Sequence, residues 1–394
     1  MDDSDYEAPV QFPYEREKVL ANFNTFCTDH LSLYPKYRNF DLGHPHENVS
    51  KLSPYLRRRL VSENEVLHIA LKKNSLSSLE KFIQEIFWRT YWRGWLEIRP
   101  DVYKDYVNGY DGSNLPGKTG IRCFDYWTEE LIETGYLHNH ARMWYASIWI
   151  FTLGKSWISG ANFFKDHLVD WCPASNTLGW RWVAGLQTRG KIYIAKADNI
   201  RLFTNDKFFP KGELNESPFF TDDLWKTYER SSKISYVKSN FSTSEDTAVI
   251  INKNDLTLNY YLCKEKINFK GCIFHDPDYQ HSKSVFVNKF ESGLIENLCL
   301  DLPSFEFCQS RKSLIDWARS QKLRYLIFPY ETVGNKYFMK SAFINELRSH
   351  NIEAIFHMRD WDKFAFPFAN KGFFPFKNNI SDLLLKNGIL KNNQ

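Results

Sequence analysis

The stretch LVDWCPASNTLGWRW, residues 168–182, places an Asp, an Asn and three Trp within thirteen residues. Trp and Asn are costly to bury unless each polar edge finds a hydrogen-bond partner, so a simple packed core does not explain this composition. If the end of the stretch is helical, Trp180 and Trp182 lie about 200° apart and one ring can line a cavity while the other points into protein. If it is extended, both rings lie on one face.

The composition indicates a folded protein with an unusual aromatic content. The chain has 394 residues, enough for two or three domains, and is 43% hydrophobic and 25% charged. Aromatic residues make up 17%, which fits either a large aromatic core or a site for a flat conjugated ligand or for nucleobases. The net charge of +4 permits nucleic-acid binding without requiring it.

The cysteines and the apolar segments indicate in which cellular compartment the protein is expected. The seven Cys form no CxxC pair and have no metal-ligand spacing, which predicts reduced thiols in a cytosolic protein and no metal site. No N-terminal apolar segment and no run of membrane-span length is present, so we expect a cytoplasmic protein, nucleoid-associated if bacterial.

The hydrophobic pattern changes along the chain. Helical spacing recurs up to about residue 215, at 16–30, 63–73, 79–98, 124–135, 138–153 and 160–170. A segment rich in Ser, Asn and Lys (228–256) reads as a linker between a helical domain (1–227) and an α/β domain (257–394). Short buried strands are predicted at 260–263, 271–276, 298–302, 325–330 and 353–358, with helices at 310–321 and 338–350. Strands alternating with helices indicate a small parallel sheet.

Two helical segments carry polar residues on apolar surroundings. In FIQEIFWRTYWRGW (82–95), one face presents Glu85, Trp88, Arg89 and Trp92, on a helix that is otherwise apolar and so predicted to be buried. A buried carboxylate must be paired or serve a ligand, and the alternative is a Glu85–Arg89 pair on a solvated face. In TGYLHNHARMWYASIW (134–149), one face presents Asn139, Arg142, Met143 and Ala146. This face has polar groups and a small residue that would let a flat ligand approach. The alternative is an ordinary amphipathic helix.

Together these segments resemble the photolyase and cryptochrome family, in its flavin-binding helical domain. The resemblance runs from about Val19 to Phe209 and keeps the order and spacing of the motifs apart from one shortened loop. It rests on YPKYRNF (34–40), VSKLSPYL (49–56), EIFWR (85–89), GKTG (117–120), TGYLHNHARM (134–143) and the opening stretch. It implies an all-helical FAD-binding domain, most like that of a cyclobutane pyrimidine dimer photolyase, followed by a small α/β, Rossmann-like domain.

The resemblance implies a U-shaped FAD in a helical bowl. Its diphosphate is expected at the turn formed by Ser50, Lys51, Leu52 and Ser53, where N–H groups and hydroxyls suit phosphate. Further cofactor contacts are expected from Tyr34, Phe82, Arg142, Asp170, Cys172 and Asn176. An Arg142–Asp170 pair can stabilise a reduced, anionic flavin. Two residues depart from the family pattern: Val49 removes a hydroxyl from the turn, and Cys172 replaces an acidic residue.

The substrate side separates the subfamilies. Repair enzymes for cyclobutane dimers carry the residue types found here at Glu85, Trp88, Arg89, Asn139, Met143 and Trp182. The (6-4) photolyases carry His at the positions of Asn139 and Met143, and His140 between them matches a position often held by a basic residue. The resemblance implies light-driven electron transfer from reduced FAD to a lesion flipped out of UV-damaged DNA, with Trp88 and Trp182 stacking on its bases and Glu85 and Asn139 bonding their edges.

Other expectations stay open. Trp180 and Trp157 match the inner two members of a Trp chain that photoreduces oxidised flavin, and the outer member is expected among Trp127, Trp144 and Trp149. Arg57, Arg58 and Arg59 form either a solvated basic face or a DNA-backbone contact, and further phosphate candidates are Arg38, Arg181, Arg189 and Lys191. The α/β domain is either a reordered antenna domain, with pigment unknown, or an unrelated cap. Light-driven repair, photoreception without repair and, third, (6-4) repair are the candidate functions, for a monomer that needs no protein partner and no membrane.

Overall fold

Helices form the first half of the chain and a parallel sheet organises the second half. The computed structural model describes residues 12–110, 112, 117–219, 225–231, 246–277, 282–301, 306–335 and 340–391. We call residues 12–219 the helical part and residues 246–391 the α/β part. None of the helices in these ranges is long and apolar enough to cross a membrane.

The helical part contains eleven α-helices within its described residues. They are α1 (Arg16–Asp29), α2 (Tyr34–Tyr37), α3 (Ser53–Arg57), α4 (Glu63–Lys73), α5 (Glu80–Glu97), α6 (Pro100–Asn108), α7 (Arg122–Thr134), α8 (Asn139–Ser147), α9 (Trp157–His167), α10 (Pro173–Val183) and α11 (Ala197–Phe203). Local sequence explains several boundaries. Ser62 and Glu65 form a reciprocal capping box at the start of α4, and Gly135 ends α7 in the left-handed conformation. The predicted helices are confirmed, except that α9 ends at His167 and a π-helical turn, Ile148–Thr152, follows α8.

The α/β part is a five-stranded parallel sheet covered by helices. Its elements are β1 (Thr247–Ile251), α12 (Leu258–Lys264), β2 (Gly271–His275), α13 (Val285–Asp301), β3 (Glu306–Cys308), α14 (Arg311–Ser320), β4 (Tyr325–Pro329), α15 (Ser341–Ser349), β5 (Glu353–His357), α16 (Asp360–Ala365), α17 (Phe373–Lys377) and α18 (Ile380–Lys386). The strand order is β3-β2-β1-β4-β5. The chain therefore reverses direction across the sheet between β1 and β4, which is the usual place for a ligand crevice in such sheets.

Several sequence expectations in this part are wrong. Residues 260–263 lie in α12 and residues 298–301 fall at the end of α13, not in strands, because a short apolar run alone does not distinguish a strand from a buried helix. Residue 302, the last of that predicted strand, lies outside the described residues. The linker assignment is wrong over residues 247–251, which form the central, fully buried strand β1, whereas residues 232–245 lie outside the described residues. The strand β3 was not predicted.

The C-terminal helices pack against α5, and ten of its eighteen residues are buried, which confirms the predicted burial for most of the helix. Phe87 stacks on Trp361 with ring centroids 4.7 Å apart, and Trp361 donates from Nε1 to Thr90 at 2.8 Å. Gly94 allows this approach, because a Cβ there would lie 2.9 Å from the Phe366 ring. The apolar circumference of α5 is thus explained by packing against the other end of the chain.

Three consecutive arginines at the end of α3 are buried between the helical and α/β parts. Arg57, Arg58 and Arg59 are 8%, 5% and 5% exposed. Arg58 donates to Glu291 at 2.7 Å, and Arg59 pairs with Asp362, a carboxylate that also binds Arg93 at 2.7 Å. The expectation of a solvated or DNA-contacting basic face is therefore wrong. Carboxylates more than a hundred residues away compensate these charges, and no local pattern reveals them.

Candidate functional site

Asp170 is the centre of a polar cluster that joins three segments of the helical part. Its Oδ2 accepts a hydrogen bond from Ser53 at 2.6 Å and one from Arg142 at 2.9 Å. Arg142 also donates from Nε to the carbonyl of Leu137 at 2.9 Å, so the guanidinium is fixed from two sides. Burial lowers the pKa of Arg142, but the Asp170 carboxylate outweighs burial and holds that pKa above its ordinary value.

Aromatic rings extend this cluster toward α2 and α5. The guanidinium of Arg142 lies 5.3 Å from the ring centroid of Tyr136. Tyr34 packs edge-on against Phe82 with centroids 5.4 Å apart, and burial raises the pKa of the Tyr34 hydroxyl. Phe82 in turn stacks on Phe23 at 5.9 Å. Tyr34 and Phe82, both expected beside the cofactor, are therefore in contact with each other.

Donors and acceptors near this cluster fit FAD. Within the described residues, no acceptor is found for the backbone N–H groups of Ser50, Lys51 and Leu52. In the same part of the chain, Oδ1 of Asp170 is buried and has no hydrogen-bond partner. Unpaired N–H groups suit a diphosphate, and a buried unpaired carboxylate oxygen needs a donor such as a ring N–H.

Glu85 forms a salt bridge across to α2. Its Oε1 accepts a hydrogen bond from Arg38 at 2.8 Å, while Arg89 donates to Glu63 at 3.1 Å. The alternative of an internal Glu85–Arg89 pair on a solvated face is therefore wrong. Burial raises the pKa of Glu85, although Arg38 opposes the shift. The Glu85 carboxyl is thus more easily protonated than that of a solvated glutamate.

The first turn of α8 lies beside this pair. Asn139 is exposed and Met143 is half-buried one turn later. The His140 ring stacks on Phe203 with centroids 5.2 Å apart. Burial and, second, the Arg38 charge lower the pKa of His140 to about 4, so the ring is neutral at physiological pH. Arg38 therefore lies within electrostatic reach of both α5 and the start of α8.

Trp88 already has an aromatic partner. Its ring stacks on Phe373, at the start of α17, with centroids 3.6 Å apart and planes 12° from parallel. Trp88 also contacts Trp92 at 5.3 Å. One face of the ring expected to stack on a lesion is thus covered by a residue of the α/β part.

The two Trp at the end of the opening stretch face different surroundings. Both lie in α10, which confirms the helical alternative. Trp180 is 2% exposed and Trp182 is 37% exposed. Trp182 stacks on Tyr193 with ring centroids 5.2 Å apart. Trp182 is therefore the ring that solvent or a ligand can reach.

The predicted Trp chain stays a prediction, and the structure gives the ring contacts of its members. Trp149 contacts Trp180 in a T-shaped arrangement at 6.2 Å, whereas Trp157 stacks on Tyr106 at 5.8 Å. The other two candidates for the outer member, Trp127 and Trp144, stack on each other at 5.5 Å. Trp149 is thus the candidate in ring contact with Trp180 in the described part of the chain.

The remaining residues predicted to contact flavin or DNA phosphate differ in their exposure to solvent. Asn176 donates from Nδ2 to the Ala161 carbonyl at 2.8 Å, which fixes its amide, and its role toward N5 of a flavin stays a prediction. Arg181 is buried and donates to the carbonyl of Leu186 at 3.1 Å, so the expectation of a DNA-phosphate contact there is wrong. Arg189 and Lys191 are exposed.

Sequence reasoning missed three residues that complete the site. Tyr136 and Tyr193 support Arg142 and Trp182, and Phe373 covers Trp88. Tyr136 lies inside the motif TGYLHNHARM (134–143), so the sequence already indicated an aromatic ring next to Arg142. Phe373 lies far along the chain in a separate part of the fold, and nothing in the sequence links it to α5.

Comparison with known proteins finds a family match within the helical part. Residues 82–208 match the family model described as the FAD binding domain of DNA photolyase. This segment of the helical part is similar to the FAD-binding domain of DNA photolyase. The match supports FAD as the cofactor. That the Arg142–Asp170 pair, the N–H groups of residues 50–52 and the unpaired carboxylate oxygen contact this flavin stays a prediction.

Curated photolyases and solved structures of the family are similar to part of the chain. The deoxyribodipyrimidine photo-lyase of Streptomyces griseus is 34% identical over 175 residues, 39% of this chain and 38% of the relative. That of Vibrio cholerae is 28% identical over 220 residues, 50% and 45% of the two chains. The chain thus spans less than half the length of these relatives. A Synechocystis cryptochrome structure has 22% identity and a TM-score of 0.39, covering 48% of this chain and 43% of its own. A class III photolyase structure from Agrobacterium tumefaciens has 25% identity and a TM-score of 0.38, covering 48% and 44%.

Proposed function

We propose that the protein repairs cyclobutane pyrimidine dimers in DNA with light. The observation that carries the proposal is the position of Arg38, which binds Glu85 and lies in electrostatic reach of His140, the neighbour of Asn139. The proposal takes Glu85 and Asn139, the two polar groups expected to hold the lesion, to border one site around Arg38. The relatives named deoxyribodipyrimidine photo-lyase support the same reaction.

The cofactor, when bound, supplies the light-excited electron donor. The residues of the chain bind and orient the lesion. The Glu85 carboxyl, whose pKa is raised by burial, and the Asn139 amide in the exposed first turn of α8 are polar groups that can hydrogen-bond to the edges of a pyrimidine. The exposed Trp182 ring, held by Tyr193, offers a stacking surface for one of the two bases.

The test is a repair assay under blue light. Reduced protein is incubated with an oligonucleotide containing the dimer, and loss of the dimer is followed. We expect Glu85→Ala and Asn139→Ala to slow repair while FAD is retained. Glu80→Ala is the matched control, because Glu80 lies on the same helix but forms an exposed pair with Lys377. Apoprotein from the site variants would assign structural roles to them instead, and absence of repair by the wild type would reject the proposal.

Photoreception without repair is the second candidate. It is favoured by the partners that the two lesion contacts already have, Phe373 on Trp88 and Arg38 on Glu85. A lesion would have to use the remaining face of Trp88 and share or displace Arg38. Light-dependent spectral change in the absence of any loss of dimers is the outcome that this alternative predicts.

We also propose that the α/β part is a reordered antenna domain. A cavity of about 470 Å³ lies beyond the carboxyl ends of β1, β2 and β4, and Trp171 and Tyr103 of the helical part line it. The position between β1 and β4 is where sheets of this topology bind ligands. A fluorescence excitation spectrum of purified protein tests this, and absence of any non-flavin chromophore would reject the antenna role.

A further inference from the structure

His46 is a buried imidazole that lies between two buried carboxylates. Its Nε2 is 2.7 Å from Oε1 of Glu130 in α7, and its Nδ1 is 3.6 Å from Oδ1 of Asp41. All three side chains are enclosed by protein, with His46 1% exposed, Asp41 2% and Glu130 6%. We call these three residues the His46 cluster. It contains none of the residues predicted to contact the flavin or the lesion.

The hydrogen-bonding groups of the His46 cluster require one extra proton. A neutral imidazole carries a single N–H, so whichever ring nitrogen holds it, the other nitrogen is an acceptor that faces a carboxylate oxygen. The short Nε2 contact places that N–H toward Glu130, and Nδ1 is left buried with no hydrogen-bond partner within the described residues. A proton on either Nδ1 or Asp41 removes the mismatch and belongs to the cluster as a whole. Burial raises the pKa of Asp41, which favours retention of this proton.

The other groups around the imidazole supply no positive charge. Trp127 of α7 donates from Nε1 to Oδ2 of Asp41 at 2.9 Å. The His138 ring stacks on that of His46 with centroids 5.9 Å apart, and burial lowers the pKa of His138 to about 3, so this ring is neutral. Tyr136 packs edge-on against His46 at 5.4 Å, and burial raises the pKa of its hydroxyl. Within the described residues, the only ion-pair partner of either carboxylate is His46 itself.

The His46 cluster anchors the loop that leads into the predicted diphosphate turn. The carbonyl of His46 accepts a hydrogen bond from the Val49 N–H at 3.3 Å, and at the other end of the loop Ser53 donates to Asp170 at 2.6 Å. The N–H groups of residues 50–52 lie between these two anchors. His46 has a φ of 54°, a costly conformation for a residue with a Cβ, so the contacts of its side chain must hold it there.

We propose that His46 is a positioning residue for FAD, and that the proton it shares with Asp41 and Glu130 holds the turn at residues 50–53 in its binding conformation. The proposal rests on FAD as the cofactor and on this turn as its diphosphate site. Loss of the proton leaves two buried carboxylates without a cation, which favours displacement of the His46 ring and of the loop attached to it. The FAD-bound form therefore holds a proton that the loosened form releases. Affinity for FAD is complete at low pH and falls as the pH rises.

The dissociation constant of FAD as a function of pH tests the proposal. Purified holoprotein is diluted to equilibrium between about pH 6 and about pH 9, and released FAD is measured by its fluorescence. We expect the dissociation constant to rise by about tenfold or more over this range, since one released proton changes affinity by up to about tenfold per pH unit. Thermal unfolding of each sample shows that the protein stays folded.

Three variants separate the proton from the packing of the side chains. Asp41→Asn can donate toward Nδ1 of His46 without a titrating proton and can still accept from Trp127, although the acceptor for the Gly43 N–H at 3.3 Å is lost. It should retain most of the affinity at pH 6 and keep it at pH 9. His46→Gln should weaken FAD binding by about tenfold at every pH, because the charge-assisted bond to Glu130 is lost. His68→Gln, an exposed residue of α4, is the matched control and should show the wild-type profile.

The pH profiles decide between a proton-dependent role and simple packing. A wild-type dissociation constant that stays within about twofold across the range would overturn the proposal, whether or not His46→Gln folds. An Asp41→Asn or His46→Gln protein whose affinity falls with pH as steeply as that of the wild type would also overturn it. The experiment contains no DNA, so absence of dimer repair would reject the proposed function and leave this result standing.

Discussion

Asp170→Asn is the substitution that tests the flavin site most sharply. The change keeps the size of the side chain but removes the charge that binds Ser53 at 2.6 Å and Arg142 at 2.9 Å. Removing one partner of a buried ion pair costs about 3–5 kcal/mol, because the other charge stays buried and unpaired. Arg142 retains 22% side-chain exposure, so we take the lower end, about 3 kcal/mol.

If this cost falls on the FAD-bound form, the dissociation constant rises by about a hundredfold. The assay is titration of apoprotein with FAD, followed by quenching of flavin fluorescence, with thermal unfolding of each apoprotein measured in parallel. Ser53→Ala removes one of the two hydrogen bonds and should raise the dissociation constant by about fivefold, equivalent to about 1 kcal/mol.

Asp105→Asn is the control for removal of an aspartate charge. Asp105 pairs with Lys226 at 2.8 Å on the surface, where such a pair contributes less than about 1 kcal/mol. We expect no change in FAD affinity from it. A folded Asp170→Asn protein that binds FAD within about threefold of the wild type would refute the assignment of Asp170 to the cofactor site.

Three further substitutions test packing, charge and stacking. Gly94→Ala should destabilise the protein by about 1–3 kcal/mol in denaturant unfolding because its Cβ meets Phe366 at 2.9 Å, whereas Gly179→Ala, with nothing within 4 Å, should be neutral or stabilising. Asp362 has a pKa lowered to about 2 because Arg59 and Arg93 outweigh burial, so its contribution to stability is complete above its ordinary pKa of 3.8 and is lost as pH falls through about 2. Asp362→Asn should therefore lose stability at neutral pH and lose less than the wild type on acidification, as measured by unfolding across pH. Trp88→Ala should weaken binding to dimer-containing DNA by about 1–3 kcal/mol in a fluorescence titration. Unchanged binding would contradict a stacking role for Trp88 and would mean that Phe373 denies the ring to the lesion.

The helical part could be predicted because its signals are local. Helix spacing placed α4 and α5 to within a residue or two, and helical geometry alone gave the opposite exposure of Trp180 and Trp182. The Arg142–Asp170 ion pair was expected from the resemblance and lies where two motifs meet. Motifs of this kind carry information about contacts because their order and spacing are tied to one fold.

The contacts between the two parts could not be predicted because their partners are distant in sequence. The arginines 57–59 look like a basic surface until Glu291, Asp255 and Asp362 are placed against them. The strand β1 follows a polar segment and is only five residues long, so composition hid it.

The most direct test of the account is photoreversal of a single cyclobutane dimer. Reduced wild-type protein, Glu85→Ala and Glu80→Ala are each mixed with an oligonucleotide carrying one dimer and, separately, with one carrying a (6-4) lesion. Recovery of intact pyrimidines is measured in blue light and in the dark. We predict light-dependent recovery of the cyclobutane substrate by the wild type and Glu80→Ala, slow recovery by Glu85→Ala, and none of the (6-4) substrate. Flavin-loaded wild-type protein that restores neither substrate in light would contradict the account.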